Sequence, residues 1–161
     1  MKPRYEDMHP VLQVRYDAFK AIADQIEHLP YALNCVLRVY DEQLALHAQG
    51  RETLSVVNTL RTKAGMQPIS ESENKSKVTW TMNSKHFPVK AGKVGAGTSR
   101  AFDVVVLKNG RTASWDLKWD ADKDQIPDYE ELALIAEQVG LVAGGHAFGD
   151  WPHFQLPDDI A

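Results

Sequence analysis

A run of β-branched and apolar side chains, Ala101 to Leu107, is followed by Asn109-Gly110 and then by a return run, Arg111 to Trp115. Asn-Gly supplies the two left-handed positions that a tight type I′ turn requires, so the two runs pair as an antiparallel hairpin. The hairpin commits the chain to a sheet with local connections. Helical signals surround it. Val11, Val14, Ala18, Ile22, Ile26 and Leu29 recur at helical spacing and predict an amphipathic helix over residues 11–29, ended by Pro30.

Between these elements, Ala32 to Tyr40 predicts a buried strand. Glu42 to Gln49 predicts a short helix capped by Asp41 and closed by Gly50. Residues 61–77 are polar and turn-rich and predict a surface loop, after which Val78 to Met82 alternates as a strand would. Residues 83–100 hold four Lys or Arg and three glycines, and predict a long loop of the kind that is usually functional or mobile. Tyr129 to Val139 predicts a helix stopped by Gly140, and Leu141-Val142-Ala143 and His153 to Leu156 the last short strands. The sum is an α+β fold in one domain over 1–161, with N-terminal helices packed on one side of a mostly antiparallel sheet.

A chain of 161 residues that is 43% hydrophobic has enough apolar material for a real core. Its net charge of −4 argues against a protein that binds nucleic acid by neutralising phosphates, and against a polybasic membrane anchor. No apolar run is long enough to cross a membrane, and Met1 to Asp7 has no apolar signal segment. Synthesis in the cytoplasm, without membrane insertion and as a monomer, is therefore the expectation. Cys35 is the single cysteine, which excludes an internal disulfide; its apolar surroundings predict an inert buried thiol.

Chemistry concentrates in three places. Near the C-terminus, Asp150-Trp151-Pro152-His153 sets a carboxylate three residues before an imidazole across a rigid turn leading into a strand. Upstream, His86 and Asp103 flank the long loop, whose ends can close together. Two imidazoles and a carboxylate suit tetrahedral zinc with a fourth position open for water, which describes a catalytic rather than a structural ion. His9, His28, His47 and His146 lack such pairing and read as surface or packing residues, His146 being the rival ligand because it lies close to Asp150. Thirdly, Asp120, Asp122, Asp124, Asp128 and Glu131 occupy positions 1, 3, 5, 9 and 12 of a calcium-loop pattern. Gln125 stands there where the sharp turn wants glycine, and the bland alternative is an acidic helix N-terminus.

Taken together, Ser84-x-His86, Arg100-Ala101-x-Asp103 and Asp150-x-x-His153 resemble the signature of a zinc peptidase family. That family holds D-alanyl-D-alanine carboxypeptidases and dipeptidases, and phage L-alanyl-D-glutamate endopeptidases that cut peptidoglycan stem peptides. Arg38-Val39-Tyr40-Asp41-Glu42-Gln43 through Gln49-Gly50-Arg51 is similar to a segment of the endopeptidase branch, and Gly140-Leu141-Val142-x-Gly144-Gly145 to the run before the last ligand. The resemblance implies a hedgehog/D-Ala-D-Ala peptidase-like fold with His86, Asp103 and His153 as zinc ligands and Asp150 as the general base. It implies further that Arg38 binds a substrate carboxylate or the developing oxyanion, that Ser84 supports the site, and that Gln43 orients Arg38.

Asp103 stands at the seventeenth position after His86, more than the family spacing, and Ser99 stands where the family has glycine. The extra residues, including Gly92, Gly95 and Gly97, must bulge outward, and they are expected to border the substrate groove. Loop closure costs only about 0.6 kcal/mol per doubling of length, so the insertion is tolerable. The implied activity is an endolysin-type zinc endopeptidase of bacteriophage, hydrolysing the L-Ala–D-Glu bond of the stem peptide during host lysis. Such an enzyme would reach periplasmic peptidoglycan after another protein permeabilises the membrane. A D-alanyl-D-alanine carboxypeptidase, or an inactive zinc-binding protein of cell-wall recognition or phage structure, are the alternatives.

Overall fold

The Asn-Gly turn forms as expected and organises the sheet. In the computed structural model of the chain, which describes residues 2–87, 89–90, 93–94 and 97–160, Asn109 and Gly110 take φ of 54° and 71°. They join β4 (Ala101–Lys108) to β5 (Thr112–Ser114), in the order of strands along the chain. Two further strands pair with β4: β1 (Tyr31–Cys35) and β7 (His153–Gln155), and β7 in turn pairs with β6 (Val142–Ala143). All these pairings are antiparallel, in the order β1-β4-β7-β6 with β5 beside β4. The remaining two strands, β2 (Val89–Lys90) and β3 (Lys93–Val94), form a separate antiparallel ribbon inside the long loop. Gly92 and Gly95 lie outside the described residues.

The backbone falls into two units, Met1–Leu37 with Thr98–Ala161, and Arg38–Gly97. In the first, alternation along β4 sends Phe102, Val104 and Val106 into the core, and β7 adds Phe154. Two helices cover that face: α1 (Pro10–Ala23) and α4 (Asp128–Gln138). The centre is aromatic. Phe102 meets Tyr16 edge-on at 5.0 Å between ring centroids, and Phe19 and Phe154 at 5.7 and 5.5 Å. Tyr129 of α4 is tied to the hairpin, since its hydroxyl accepts the Val106 N–H and donates to the Ser114 carbonyl.

The structure corrects the first helix in length and phase. It ends at Ala23, not at Pro30, and Ile26 and Leu29 reach the core from the turn that follows. The buried stripe is Leu12, Tyr16, Phe19 and Ala23, whereas Val14 is 68% exposed. Both stripes fit a helical period; the larger ring surface of Tyr16 and Phe19 decides which one faces inward. Nor do the helices all precede the sheet, because α4 and the short α5 (Gly144–Phe148) follow β5.

In the second unit, α2 (Tyr40–Ala48) begins one residue before the expected cap. Val39 is the N-cap, and its N–H donates to the Glu42 carboxylate at 3.2 Å. A helix not expected, α3 (Leu54–Lys63), starts at Thr53, whose hydroxyl accepts the Val56 N–H. The strand expected over Val78 to Met82 does not form. Its carbonyls are claimed by side chains: Gln43 Nε2 donates to the Thr81 carbonyl at 2.6 Å, and Arg51 Nη1 to the Thr79 carbonyl at 3.0 Å. With those acceptors used, alternation alone builds no ladder.

Candidate functional site

Asp103 of β4 is paired on both edges, with Cys35 on β1 and His153 on β7. Its neighbours Phe102 and Val104 face the core, so these three side chains stand on the other face of the sheet. His153 Nδ1 lies 3.0 Å from Asp103 Oδ1, and His153 Nε2 lies 2.9 Å from Gln155 Oε1. His153 is buried and Asp103 half-buried. An imidazole whose Nε2–H is donated to an amide oxygen carries its lone pair on Nδ1, aimed at the carboxylate. Two such acceptors facing one another need a proton or a cation to join them.

That donor set fits zinc. Bonds of about 2.0–2.1 Å to nitrogen and oxygen place neighbouring ligand atoms of a tetrahedral ion roughly 3.3 Å apart, close to the separation seen here. An acceptor on the far nitrogen is the usual means of holding the tautomer and ring plane of a ligating histidine. Gln155 stands where such an acceptor would be needed, two residues along the same strand face.

Cys35 is a correction. It is half-buried rather than sealed in the core, and it stands opposite Asp103. A β-bulge between Leu33 and Cys35 causes this. Leu33 pairs with Val104 on the core side, and the irregularity at Asn34 carries Cys35 to the other side. No periodicity in the sequence marks that bulge.

Asp150 is exposed on the turn before β7. The turn is held by backbone: Asp150 N–H donates to the Gly144 carbonyl at 3.1 Å, and His153 N–H to the Asp150 carbonyl at 3.2 Å. Gly144 and Gly145 open α5, where a side chain would collide with the turn.

The second unit holds the other expected site residues. His86 is buried; its N–H donates to Ser84 Oγ at 3.2 Å, and its carbonyl accepts the Arg38 N–H at 2.8 Å. Arg38 Nη1 donates to the Gln43 amide oxygen at 3.3 Å, and fully buried Gln43 is fixed in turn by Thr79 and Thr81. Ser84, His86, Arg38 and Gln43 thus belong to the second unit, and Asp103, His153 and Asp150 to the first.

His28 and His146, expected to be unpaired, are both held by carboxylates. His146 Nδ1 lies 2.6 Å from Glu137 and its Nε2 2.7 Å from Glu130, with the ring edge-on to Trp151. Glu137 and then Glu130 hold its pKa above the ordinary imidazole value. Both nitrogens are thus engaged on α4, which removes it as a rival ligand beside Asp150. His28 Nε2 contacts both oxygens of Glu131 on α4.

No protein-family model matches the chain. Along 96% of its length the chain is 25% identical to the peptidoglycan L-alanyl-D-glutamate endopeptidase CwlK of Bacillus subtilis (strain 168), covering 76% of that protein. The α+β chain is thus similar, over nearly all of its length, to a peptidase of the cell wall.

Proposed function

We propose that this chain is a zinc-dependent peptidoglycan endopeptidase that hydrolyses the L-Ala–D-Glu bond of the stem peptide, with His86, Asp103 and His153 holding the metal. The observation that carries the reading is the part-buried Asp103–His153 pair, with Gln155 on the far ring nitrogen. The similarity to a peptidoglycan endopeptidase supplies the substrate class. Zinc bound there would supply a Lewis acid that activates water and polarises the scissile carbonyl.

The chain's own groups do the remainder. Gln155 holds the His153 ring with Nδ1 deprotonated. The Asp150 carboxylate, exposed on its turn, takes a proton from the attacking water and returns it to the leaving amine nitrogen. The Arg38 guanidinium, kept in place by Gln43, binds a substrate carboxylate or the oxyanion through paired N–H donors. The Ser84 hydroxyl supports His86 by accepting the His86 backbone N–H.

The test combines metal analysis of the purified protein with mass spectrometry of digested muropeptides. One zinc per chain, clearing of permeabilised cells that a chelator abolishes, and new fragments beginning at D-glutamate are expected. Asp150→Asn should retain the zinc and lose turnover. Loss of a terminal D-alanine instead would overturn the bond assignment, and a metal-free protein with full activity would overturn the mechanism.

A further inference from the structure

Among the described residues, Trp80 is the most exposed large apolar side chain, with 76% of its surface open to solvent. An indole left in water forgoes the burial that makes tryptophan a strong core and interface residue. The backbone that carries it is nonetheless fixed on both sides. Arg51 Nη1 donates to the Thr79 carbonyl at 3.0 Å and to the His47 carbonyl at 2.6 Å. Gln43 Nε2 donates to the Thr81 carbonyl at 2.6 Å. Gly50 lets the segment close on the end of α2, since a β-carbon there would lie 2.8 Å from the Lys77 nitrogen. Two cations flank the ring: Arg51 Cζ stands 5.9 Å and Lys77 Nζ 5.5 Å from its centroid. Such contacts orient an exposed indole and leave most of it open.

Held in that way, the ring is a preorganised platform, and ordering it on binding costs little. Its position says what it meets. The Gln43 amide oxygen accepts from Arg38 Nη1 at 3.3 Å while the amide nitrogen holds Thr81, so one side chain connects Arg38 with the backbone beside Trp80. All of these residues belong to the second unit. In a stem peptide, L-alanine is joined directly to the lactyl group of a muramyl sugar. A substrate cut after L-alanine therefore carries a pyranose ring within roughly 10 Å of the reacting carbonyl, given about 3.5 Å per extended residue. A pyranose offers an apolar face of C–H groups, which packs on an indole. Its hydroxyl and acetamido oxygens accept from donors such as Arg51 and Lys77. A lone carboxylate would use the cations but not the flat, open ring.

We propose that Trp80, flanked by Arg51 and Lys77, is a stacking platform for the muramyl sugar that bears the stem peptide. The enzyme then prefers sugar-linked stem peptides to free ones. This inference rests on the peptidase reading above and adds to it a class of substrate, the glycan-attached peptide.

Two measurements on the zinc-loaded protein test this. Saturation-transfer NMR with the neutral tetrasaccharide of N-acetylglucosamine reads sugar binding without turnover and without any carboxylate. Transfer to the sugar C–H protons is expected in the parent and in Trp80→Phe. It should be lost in Trp80→Ala, whose circular dichroism spectrum should match the parent's. Kinetics then compare a disaccharide-linked muropeptide with the same peptide freed of its sugar. The ratio of kcat/KM for the two should fall about tenfold in Trp80→Ala, the scale of losing one aromatic stacking partner. The fall should come through KM rather than kcat. No transfer to the tetrasaccharide in the parent overturns the proposal. So does a ratio that Trp80→Ala leaves unchanged, which would mean that the cations meet peptide carboxylates instead. Neither outcome touches the peptidase reading, which fails separately if the muropeptide is not cut at L-Ala–D-Glu; the NMR measurement then decides by itself whether Trp80 binds sugar.

Discussion

Gly144→Ala offers a prediction whose sign is diagnostic. Gly144 opens α5 without a left-handed φ, so alanine there strains no backbone. In an ordinary helix the exchange stabilises by about 0.4–1 kcal/mol. Here a β-carbon would lie 2.5 Å from the Asp150 carbonyl oxygen, 2.9 Å from the His153 carbonyl oxygen and 3.0 Å from Phe148 Cε2. Two of the three are backbone atoms and cannot rotate away. Overpacking of this kind costs about 1–3 kcal/mol, which exceeds the propensity gain. The turn must shift, taking with it the residue that would accept the proton and the one that would bind the metal. A displacement of about 1 Å at reacting groups can cost roughly a hundredfold in rate. Gly149→Ala is the control: it has φ of 80° with nothing within 4 Å of the added carbon, so only the left-handed cost of about 1–2 kcal/mol applies. Gly145→Ala meets the Trp151 ring at 2.3 Å, and a half-buried ring can swing aside at the expense of its contact with His146. Urea denaturation with a constant m-value, together with hydrolysis of peptidoglycan, measures all three. A Gly144→Ala protein as stable as the parent, or more so, refutes the steric argument.

Other consequences can be checked alongside. Replacing Phe102 or Phe154 by alanine should each cost about 3–5 kcal/mol, and a double-mutant cycle of the two should show coupling of about 0.5–1.5 kcal/mol from their ring contact; additivity in urea melts would deny that contact. Gln155→Met should weaken zinc binding about 10- to 100-fold in competition with a chromophoric chelator, while the circular dichroism spectrum stays unchanged. The His146 clamp on Glu137 and Glu130 raises the imidazole pKa, so its stabilisation is complete below about pH 6.5 and is lost as pH rises through the raised value. The Tm difference between the parent and His146→Gln should therefore be largest in mildly acidic buffer and vanish in alkali, with a contribution under about 1 kcal/mol because the pair is near the surface. An unchanging difference across pH would mean that packing against Trp151, not charge, is responsible.

Much of the sheet was legible from local signals. The Asn109-Gly110 turn, the run after Ala101, and the Tyr129 helix ended by Gly140 are short-range features, and each appears within a residue or two of its expected bounds. The candidate ligands were named from residue type and order, which do not give position. Asp103 and His153 meet as cross-strand partners, which follows once β4 and β7 are antiparallel neighbours. Gln155 and Cys35 were not found, because one acts only through His153 and the other depends on a bulge.

By itself, then, the order of residues determined where the chain turns and which segments favour helix or strand, since those preferences reside in φ, ψ and side chains a few positions apart. Tertiary structure alone decided which stripe of α1 is buried, that Val78 to Met82 yields its carbonyls to Gln43 and Arg51, and that Cys35 faces Asp103. Each of those outcomes depends on a partner distant in sequence, and contact free energy gained there outweighs the small differences among local preferences.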